Sequence, residues 1–308
     1  MNALGPALDD YLAIRRSLGF KLREHGLLLP DLVDFLVRAG ATTVSTELAL
    51  AWAMKPAGAQ PYRWRQRLSL ARGFARHLWA SDASVEVPAA DLLAYRHRRP
   101  TPYLYRDAEI VALLDATGRL RPPHRAATHR ALLGLLAATG MRLGEGIGLD
   151  RADVDLDAGS LHVRQGKLGG SRSLPLRAST VEALRDHARE RDRLCRRPPG
   201  ASFFVTTTGT RLIDTSVRTV FRELVRHVGP EPRDGSGWPR IHDLRHSFAV
   251  ATLRDWYRAG VDVAERLPLL SAYLGHASPA STYWYLQATP ELLAAAADRL
   301  ERHLGARP

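Results

Sequence analysis

The stretch Ile241-His242-Asp243-Leu244-Arg245-His246-Ser247-Phe248 decides both the local fold and the chemistry of this 308-residue chain. Apolar spacing predicts a helix over residues 241–259, which places His242 and Arg245, at i and i+3, on one face. A guanidinium holds phosphate oxygens in bidentate fashion, and an imidazole moves protons near neutral pH. The two side chains can therefore converge on one phosphate, whereas His246 is predicted to turn to another face, toward the core.

A second arginine lies upstream in the turn Thr139-Gly140-Met141-Arg142. Gly140 is a typical residue to end a helix, so Arg142 would start the next helix, where backbone N–H groups also favour an anion. Glu145 follows one turn later and could orient Arg142 through an ion pair. The alternative is that Arg142 and Glu145 form a purely structural pair.

The segment Leu274-Gly275-His276 adds a second histidine, and Ser281-Thr282-Tyr283-Trp284-Tyr285-Leu286 adds two tyrosines. A phenol can attack phosphorus and remain covalently attached. Because residues two apart face different sides of a helix, at most one of Tyr283 and Tyr285 points into a site with His276. A tyrosine that only packs in the core is the alternative interpretation.

The chain carries a net charge of +12 and a pI near 10.5, which indicates a polyanionic partner. Of its 44 basic side chains only Lys21, Lys55 and Lys167 are lysines. Lys167 is the one lysine after residue 55, and it lies in the glycine-rich run 165–170. A lysine retained at this place in an arginine-rich chain is a candidate functional residue, although chance turn composition would also explain it.

Several classes of protein fit the sequence poorly. No cluster of carboxylates suggests a two-metal nuclease, and no glycine-rich P-loop is visible, so neither a metal nor a cofactor is expected. No apolar run is long enough to span a membrane, and residues 1–10 do not resemble an export signal. Cys195 is the single cysteine, which fits a reducing cytoplasm.

The predicted helix 63–80 has an apolar stripe, while arginines occupy its other faces and no acidic residue occurs between positions 60 and 80. Such like charges repel one another, a cost that phosphates would offset. A solvated helix face is the alternative. The candidate DNA-binding residues are Arg63, Arg65, Arg67, Arg72 and Arg76.

The pattern along the chain predicts a mainly α protein with a small β-hairpin, an α+β fold. Residues 1–85 form one helical domain, residues 86–102 a basic linker and residues 103–308 a second domain. Helices are predicted at 8–18, 27–39, 46–54, 63–80, 107–116, 124–138, 180–195, 214–228, 241–259, 263–274, 278–287 and 290–304. Two strands are predicted at 160–164 and 172–176.

Taken in order, these motifs resemble the tyrosine recombinase, or phage integrase, family. Thr-Gly-x-Arg is followed by a hairpin lysine, then by His-x-x-Arg, by Leu-Gly-His and by a tyrosine nine positions further on. The match covers roughly residues 103–290, and the resemblance implies a catalytic domain there and a helical core-binding domain before it. The run Ser-Thr-Tyr-Trp-Tyr-Leu further resembles recombinases of transposon-like mobile elements.

The resemblance implies a role for each residue of the motifs. Arg142 and Arg245 would clamp the phosphate, and Tyr285 would be the nucleophile, with Tyr283 as a fallback. His242 would be a general base or proton shuttle, and His276 a phosphate ligand and hydrogen-bond donor.

Lys167 would protonate the leaving 5′-oxygen. Physical chemistry favours this choice, because an ammonium group can release a proton near neutral pH and a guanidinium cannot.

The implied activity is site-specific DNA recombination, of the integrase or transposase type, through a 3′-phosphotyrosyl intermediate. The expected partners are double-stranded DNA sites and further protomers, as a homo-tetramer or mixed with related recombinases, in a prokaryotic nucleoid; no small-molecule substrate is expected. The predicted helix 290–304 could dock on a neighbour or close its own domain. The alternatives are a type IB topoisomerase-like activity, a non-catalytic accessory recombinase and a basic RNA-binding protein.

Overall fold

The computed structural model describes residues 3–20, 22–93, 101–164, 170–194, 200–233, 236–276, 278 and 280–287, without the side chains of residues 23, 286 and 287. The chain divides into two compact units, Met1–Arg99 and Pro100–Pro308. This division falls within the segment predicted as a linker, and the function of that segment as a linker stays a prediction. No helix within the described ranges is long and apolar enough to cross a lipid bilayer.

The first unit is helical. Ser45 caps its third helix, since the side chain accepts a hydrogen bond from the backbone N–H of Leu48 at 3.2 Å, and Pro61 starts the fourth helix, where its missing N–H costs nothing. Buried leucines and aromatic residues, including Trp52 and Phe74, form its core. The helices are α1 (Leu4–Ser17), α2 (Arg23–Arg38), α3 (Thr46–Met54) and α4 (Pro61–Trp79).

One arginine of α4 is used inside this unit. The Arg67 guanidinium lies 3.8 Å from the centre of the Trp52 ring and 3.2 Å from the Asp31 carboxylate. It also donates to the Trp52 carbonyl at 3.1 Å. Arg67 therefore stabilises the helix bundle, a role that its position in an arginine-rich helix does not reveal.

The second unit is built around α6, which packs against α5, α7, α8 and α10. Leu132, Leu133, Leu135 and Leu136 of α6 are buried in the main core, while α10, α11 and α12 enclose a smaller apolar cluster. The helices are α5 (Asp107–Ala116), α6 (Pro123–Thr139), α7 (Leu143–Gly148), α8 (Ala178–Leu194), α9 (Asp214–Val228), α10 (Asp243–Arg258), α11 (Val263–Leu274) and α12 (Ala280–Gln287).

A three-stranded antiparallel sheet lies between α7 and α8 in the chain. Its strands are β1 (Val154–Asp155), β2 (Ser160–Val163) and β3 (Arg172–Pro175), in the order β1-β2-β3. The predicted hairpin is confirmed by the β2–β3 pairing, in which Val163 lies opposite Arg172. β1 was not predicted, because two residues are too short to show an alternating pattern.

The predicted mainly helical class with a small sheet is confirmed. The predicted helix over 241–259 begins slightly later than expected, since α10 starts at Asp243 and His242 is its N-cap. The predicted helix 290–304 and the glycine-rich turn with Lys167 lie outside the described residues.

Glycines in the left-handed region end α6, α9 and α11. Gly140, at the end of α6, has φ of +61°, and a Cβ there would lie 2.5 Å from the Phe248 ring. Gly229, at the end of α9, has φ of +73°, and a Cβ there would meet nothing within 4 Å. Both positions need glycine for the backbone, but only Gly140 also needs it for space.

We expect Gly140→Ala to lower the free energy of unfolding more than Gly229→Ala does. Both variants bear the left-handed strain of about 1–2 kcal/mol, and the clash with Phe248 should add about 1–3 kcal/mol in the first. Chemical denaturation of the two variants beside the wild type measures the difference. Equal losses would show that the α6–α10 contact relaxes freely.

Candidate active site

Two arginines meet at the carboxyl end of α11. Arg245 Nη2 donates to the Leu274 carbonyl at 2.8 Å, and Arg142 Nη1 reaches the same oxygen at 3.5 Å. Arg142 Nη2 also donates to the Gly275 carbonyl at 2.8 Å. The last carbonyls of a helix have no intrahelical partner and carry partial negative charge, so they are natural acceptors for guanidinium groups. This shared contact brings together two residues that are far apart in the sequence.

Arg245 is held deep in the protein, with 2% of its surface exposed. Its second anchor is the Gly140 carbonyl at the end of α6, which accepts from Nη1 at 2.8 Å. Burial lowers the pKa of Arg245 to about 10, an effect that the nearby Tyr285 hydroxyl opposes through charge and hydrogen bonding. Arg245 therefore stays charged at neutral pH, and it lies beside the Tyr285 hydroxyl.

Arg142 is partly exposed, and Glu145 fixes its orientation. The Glu145 carboxylate accepts the Arg142 backbone N–H at 2.9 Å and Arg142 Nη1 at 2.8 Å. The first contact caps α7, and the second is the ion pair that the sequence suggested. Because a guanidinium has five N–H donors, the contacts of Arg142 with Glu145 and with α11 leave donors available for a phosphate.

Arg172, at the start of β3, belongs to the same network and was missed in the sequence. It donates to both oxygens of Glu145, at 2.8 and 3.3 Å, and to the Tyr273 carbonyl at 2.8 Å. Its position in a strand gave no motif that would distinguish it from the other arginines of the chain.

His276 and Tyr285 lie together, as predicted. Their rings stack with centroids 5.9 Å apart and planes 26° from parallel. The His276 ring is oriented by a 2.6 Å hydrogen bond between Nδ1 and the Thr282 hydroxyl. Tyr285 is 2% exposed, whereas Tyr283 is 51% exposed, so the two tyrosines do face different sides of α12.

His246 packs beside these residues, so the prediction that it turns to another face, away from His242, was wrong. Its ring centroid lies 4.9 Å from that of His242, 5.5 Å from that of Tyr285 and 5.2 Å from that of Trp284. The His246 ring therefore contacts both His242 and Tyr285, a position that its spacing in the sequence did not predict.

Burial, assisted by the positive charges of the site, keeps its histidines neutral. His242 is exposed, yet desolvation by surrounding atoms lowers its pKa to about 4, aided by Arg245, Arg240, Arg142 and Arg218. Burial and then the same kind of charges lower the pKa of His276 to about 4. The DNA-free site therefore combines fixed cations with neutral imidazoles.

Not every candidate residue is part of this cluster. Lys167 lies outside the described residues, within the connection between β2 and β3. The arginines of α4 belong to the other unit of the chain. Within the described ranges, no three His, Cys, Asp or Glu side chains are grouped so that they could hold a metal ion.

Between pH about 4 and 6.5 the unfolded chain should bind protons that His242 and His276 do not bind in the folded state. The free energy of unfolding should therefore rise with pH across this window. Histidine NMR titration of the DNA-free protein checks the two pKa values directly. Addition of inorganic phosphate should raise both pKa values, because an anion offsets the part that is due to the arginines. Titration of either ring above pH 6 without an anion would contradict the combined effect of burial and positive charge.

Known proteins share both the sequence pattern and the fold. The sequence profile of the phage integrase family matches residues 104–291. The protein y4rB of Sinorhizobium fredii (strain NBRC 101917 / NGR234), an integrase/recombinase by name, is 42% identical over 98% of both chains.

Two solved structures have a similar architecture. A lambda integrase dimer bound to a COC' core site has a TM-score of 0.64 at 21% identity and covers 91% of this chain and 94% of its own. The Tn1549 transposon integrase, in complex with transposon right end DNA, has a TM-score of 0.61 at 18% identity. The match covers 96% of this chain and 99% of the integrase chain. The chain therefore belongs to the phage integrase family, which confirms its resemblance to tyrosine recombinases.

Proposed function

We propose that this chain is a site-specific DNA recombinase that cuts and rejoins strands through a 3′-phosphotyrosyl intermediate. One observation carries the proposal: Arg142 and Arg245 share the Leu274 carbonyl while Tyr285 lies beside Arg245. A phosphate bound by the two guanidinium groups would be next to the phenol. Membership of the phage integrase family supports the same activity.

In the proposed reaction the Tyr285 oxygen forms a bond to phosphorus, and the bond from phosphorus to the 5′-oxygen breaks. Arg142 and Arg245 stabilise the negative charge that builds up on the pentacovalent phosphate. His242 is neutral in the DNA-free state, with a pKa of about 4. The negative charge of a bound phosphate would raise that pKa and let the imidazole accept the phenolic proton. His276 donates a hydrogen bond to the phosphate, and Lys167 supplies the proton for the leaving 5′-oxygen.

The second step reverses the first on a partner strand. Its free 5′-hydroxyl attacks the phosphotyrosine, which releases Tyr285 and forms a new phosphodiester. Because one phosphoester is exchanged for another, no nucleotide triphosphate is needed. Both Tyr285 and Arg245 are 2% exposed, so a phosphate that binds them must displace the groups that cover them.

The proposed partners are double-stranded recombination sites and further protomers, as a homo-tetramer or mixed with related recombinases. Lambda integrase provides the precedent within this fold, since it has also been solved as a tetramer bound to a Holliday junction. The likeness to the Tn1549 transposon integrase supports a mobile-element origin. A recombinase of this kind would act in the cytoplasm, at the nucleoid of a prokaryotic cell.

On the first unit, α4 is the proposed DNA-contacting surface. Burial lowers the pKa of Arg72, and the charges of Arg76 and Arg65 lower it further, while that of Asp91 opposes them. Phosphates would relieve that repulsion. Arg63, Arg65 and Arg76 are exposed. Arg67 is assigned instead to the contact with Trp52 and Asp31.

On a nicked suicide DNA substrate the wild type should form a covalent protein–DNA adduct, and Tyr285→Phe should form none, since it lacks the attacking oxygen. Adduct is measured by denaturing gel electrophoresis with labelled DNA. Tyr283→Phe is the matched control and should react like the wild type. An adduct lost only in Tyr283→Phe would move the nucleophile to Tyr283.

The same substrate separates the alternative functions. The absence of any adduct on a verified cognate site would favour an accessory role without catalysis. An adduct that is always resealed to its own strand, with no exchange between two sites, would favour topoisomerase-like chemistry.

Arg65→Ala and Arg76→Ala should each weaken binding to duplex DNA and make it less dependent on salt. Each lost phosphate contact should reduce the slope of log K against log salt by about 0.9. Arg67→Ala, the control on the same helix, should leave that slope unchanged and lower the free energy of unfolding by about 1–2 kcal/mol through loss of the Trp52 contact. Fluorescence anisotropy across a salt series measures the slopes; identical slopes for Arg65→Ala and the wild type would remove α4 from the DNA interface.

A further inference from the structure

The Arg172 guanidinium donates hydrogen bonds to three acceptor atoms within the second unit. Nη1 and Nη2 donate to the Glu145 carboxylate at 3.3 and 2.8 Å, and Nε donates to the Tyr273 carbonyl at 2.8 Å. Its side chain is 13% exposed. An arginine with its fork and its Nε all occupied by protein groups is a fixed structural part rather than a mobile surface charge.

The Glu145 carboxylate binds both Arg172 and Arg142. Burial would raise its pKa, but hydrogen bonds from Arg172 and from Arg142 outweigh that effect and lower it. The carboxylate is therefore ionised, and it holds Arg142 Nη1 at 2.8 Å while Arg172 holds both of its oxygens. Without Arg172, the carboxylate would lose the partner that fixes its plane.

Gly275 shows how closely Arg172 approaches the turn before His276. A Cβ on Gly275 would lie 2.6 Å from Arg172 Nη1 and 2.8 Å from Cζ. The carbonyl of Gly275 is also an acceptor for Arg142 Nη2 at 2.8 Å. The same turn therefore contacts both arginines, and its lack of a side chain makes room for Arg172.

We propose that Arg172 is a positioning residue: it locks Glu145, and through it the phosphate-binding guanidinium of Arg142, against the carboxyl end of α11. Since Arg172 lies at the start of β3, the same side chain also connects this strand to Glu145 and Arg142. The proposal rests on the proposed recombinase function for its catalytic consequence, but its structural part is independent of that function.

The catalytic consequence is tested with Arg172→Ala and Arg172→Lys on the suicide substrate at saturating DNA. Misplacement of Arg142 should slow adduct formation on the order of 10²-fold in Arg172→Ala, with a much smaller change in affinity for an uncleaved duplex. Arg172→Lys keeps the charge but cannot hold both carboxylate oxygens and the Tyr273 carbonyl in one plane, so it should rescue little. Arg189→Ala removes an arginine from the surface of α8 and should react like the wild type.

Full activity of Arg172→Lys would show that only the charge of Arg172 matters. Wild-type activity of Arg172→Ala would show that Arg172 does not position Arg142. A loss of duplex affinity as large as the loss of rate would make Arg172 a DNA contact instead. Each of these results overturns the proposal.

A double-mutant cycle on stability tests the structural part without any catalysis. Gly275→Ala should be more destabilising when Arg172 is present than in the Arg172→Ala background, because only the wild-type side chain meets the new Cβ. The strain from the Gly275 φ of +66° is present in both backgrounds and cancels. A coupling energy of zero would overturn the proposed contact. If the wild type forms no adduct, the recombinase proposal fails. The double-mutant cycle still tests the contact between Arg172 and residue 275.

Discussion

The carbonyl oxygens at two glycine-terminated helix ends hold the guanidinium groups on which the site depends. Arg245 spans from the Gly140 carbonyl to the Leu274 carbonyl, and Arg142 reaches the latter and the Gly275 carbonyl. A buried guanidinium is costly unless its donors are satisfied. The helix ends satisfy the donors of Arg245 with partial charges, so its positive charge remains available to an anion, whereas Arg142 is also paired with Glu145.

The arrangement of the arginines also affects the pKa values of the two histidines. Burial lowers the pKa of His242 and of His276, and the charges of Arg245 and Arg142 lower them further, to about 4. A phosphate would supply the missing negative charge. The DNA-free site therefore has an excess of positive charge. A bound phosphate would raise the pKa values of His242 and His276, the histidines that act on it.

Local patterns in the sequence predicted much of this site. Arg142 and Glu145 are three residues apart, and their ion pair was expected from that spacing, whereas the capping contact between them was not. The helix bounds of α3, α5, α9 and α11 agree with the apolar periodicity. Gly140 and Gly275 could be recognised as helix ends because their left-handed conformations favour glycine.

Contacts between distant segments could not be predicted in this way. Arg172 is separated by 27 positions from Glu145 and by 101 from Tyr273, so no periodicity links them. Arg67 looked like its neighbours on α4 because its partners, Trp52 and Asp31, lie on other helices. In an arginine-rich chain, composition cannot separate an arginine that binds phosphate from one that stabilises the fold; only its partners can.

The most direct test of the proposed mechanism is to identify the amino acid that becomes attached to DNA. The adduct formed on a suicide substrate is digested with nuclease and protease, and the modified peptide is sequenced by mass spectrometry. The mechanism predicts a nucleotide joined through its 3′-phosphate to the Tyr285 oxygen. A nucleotide on Tyr283, on any residue other than tyrosine, or joined through a 5′-phosphate would contradict it.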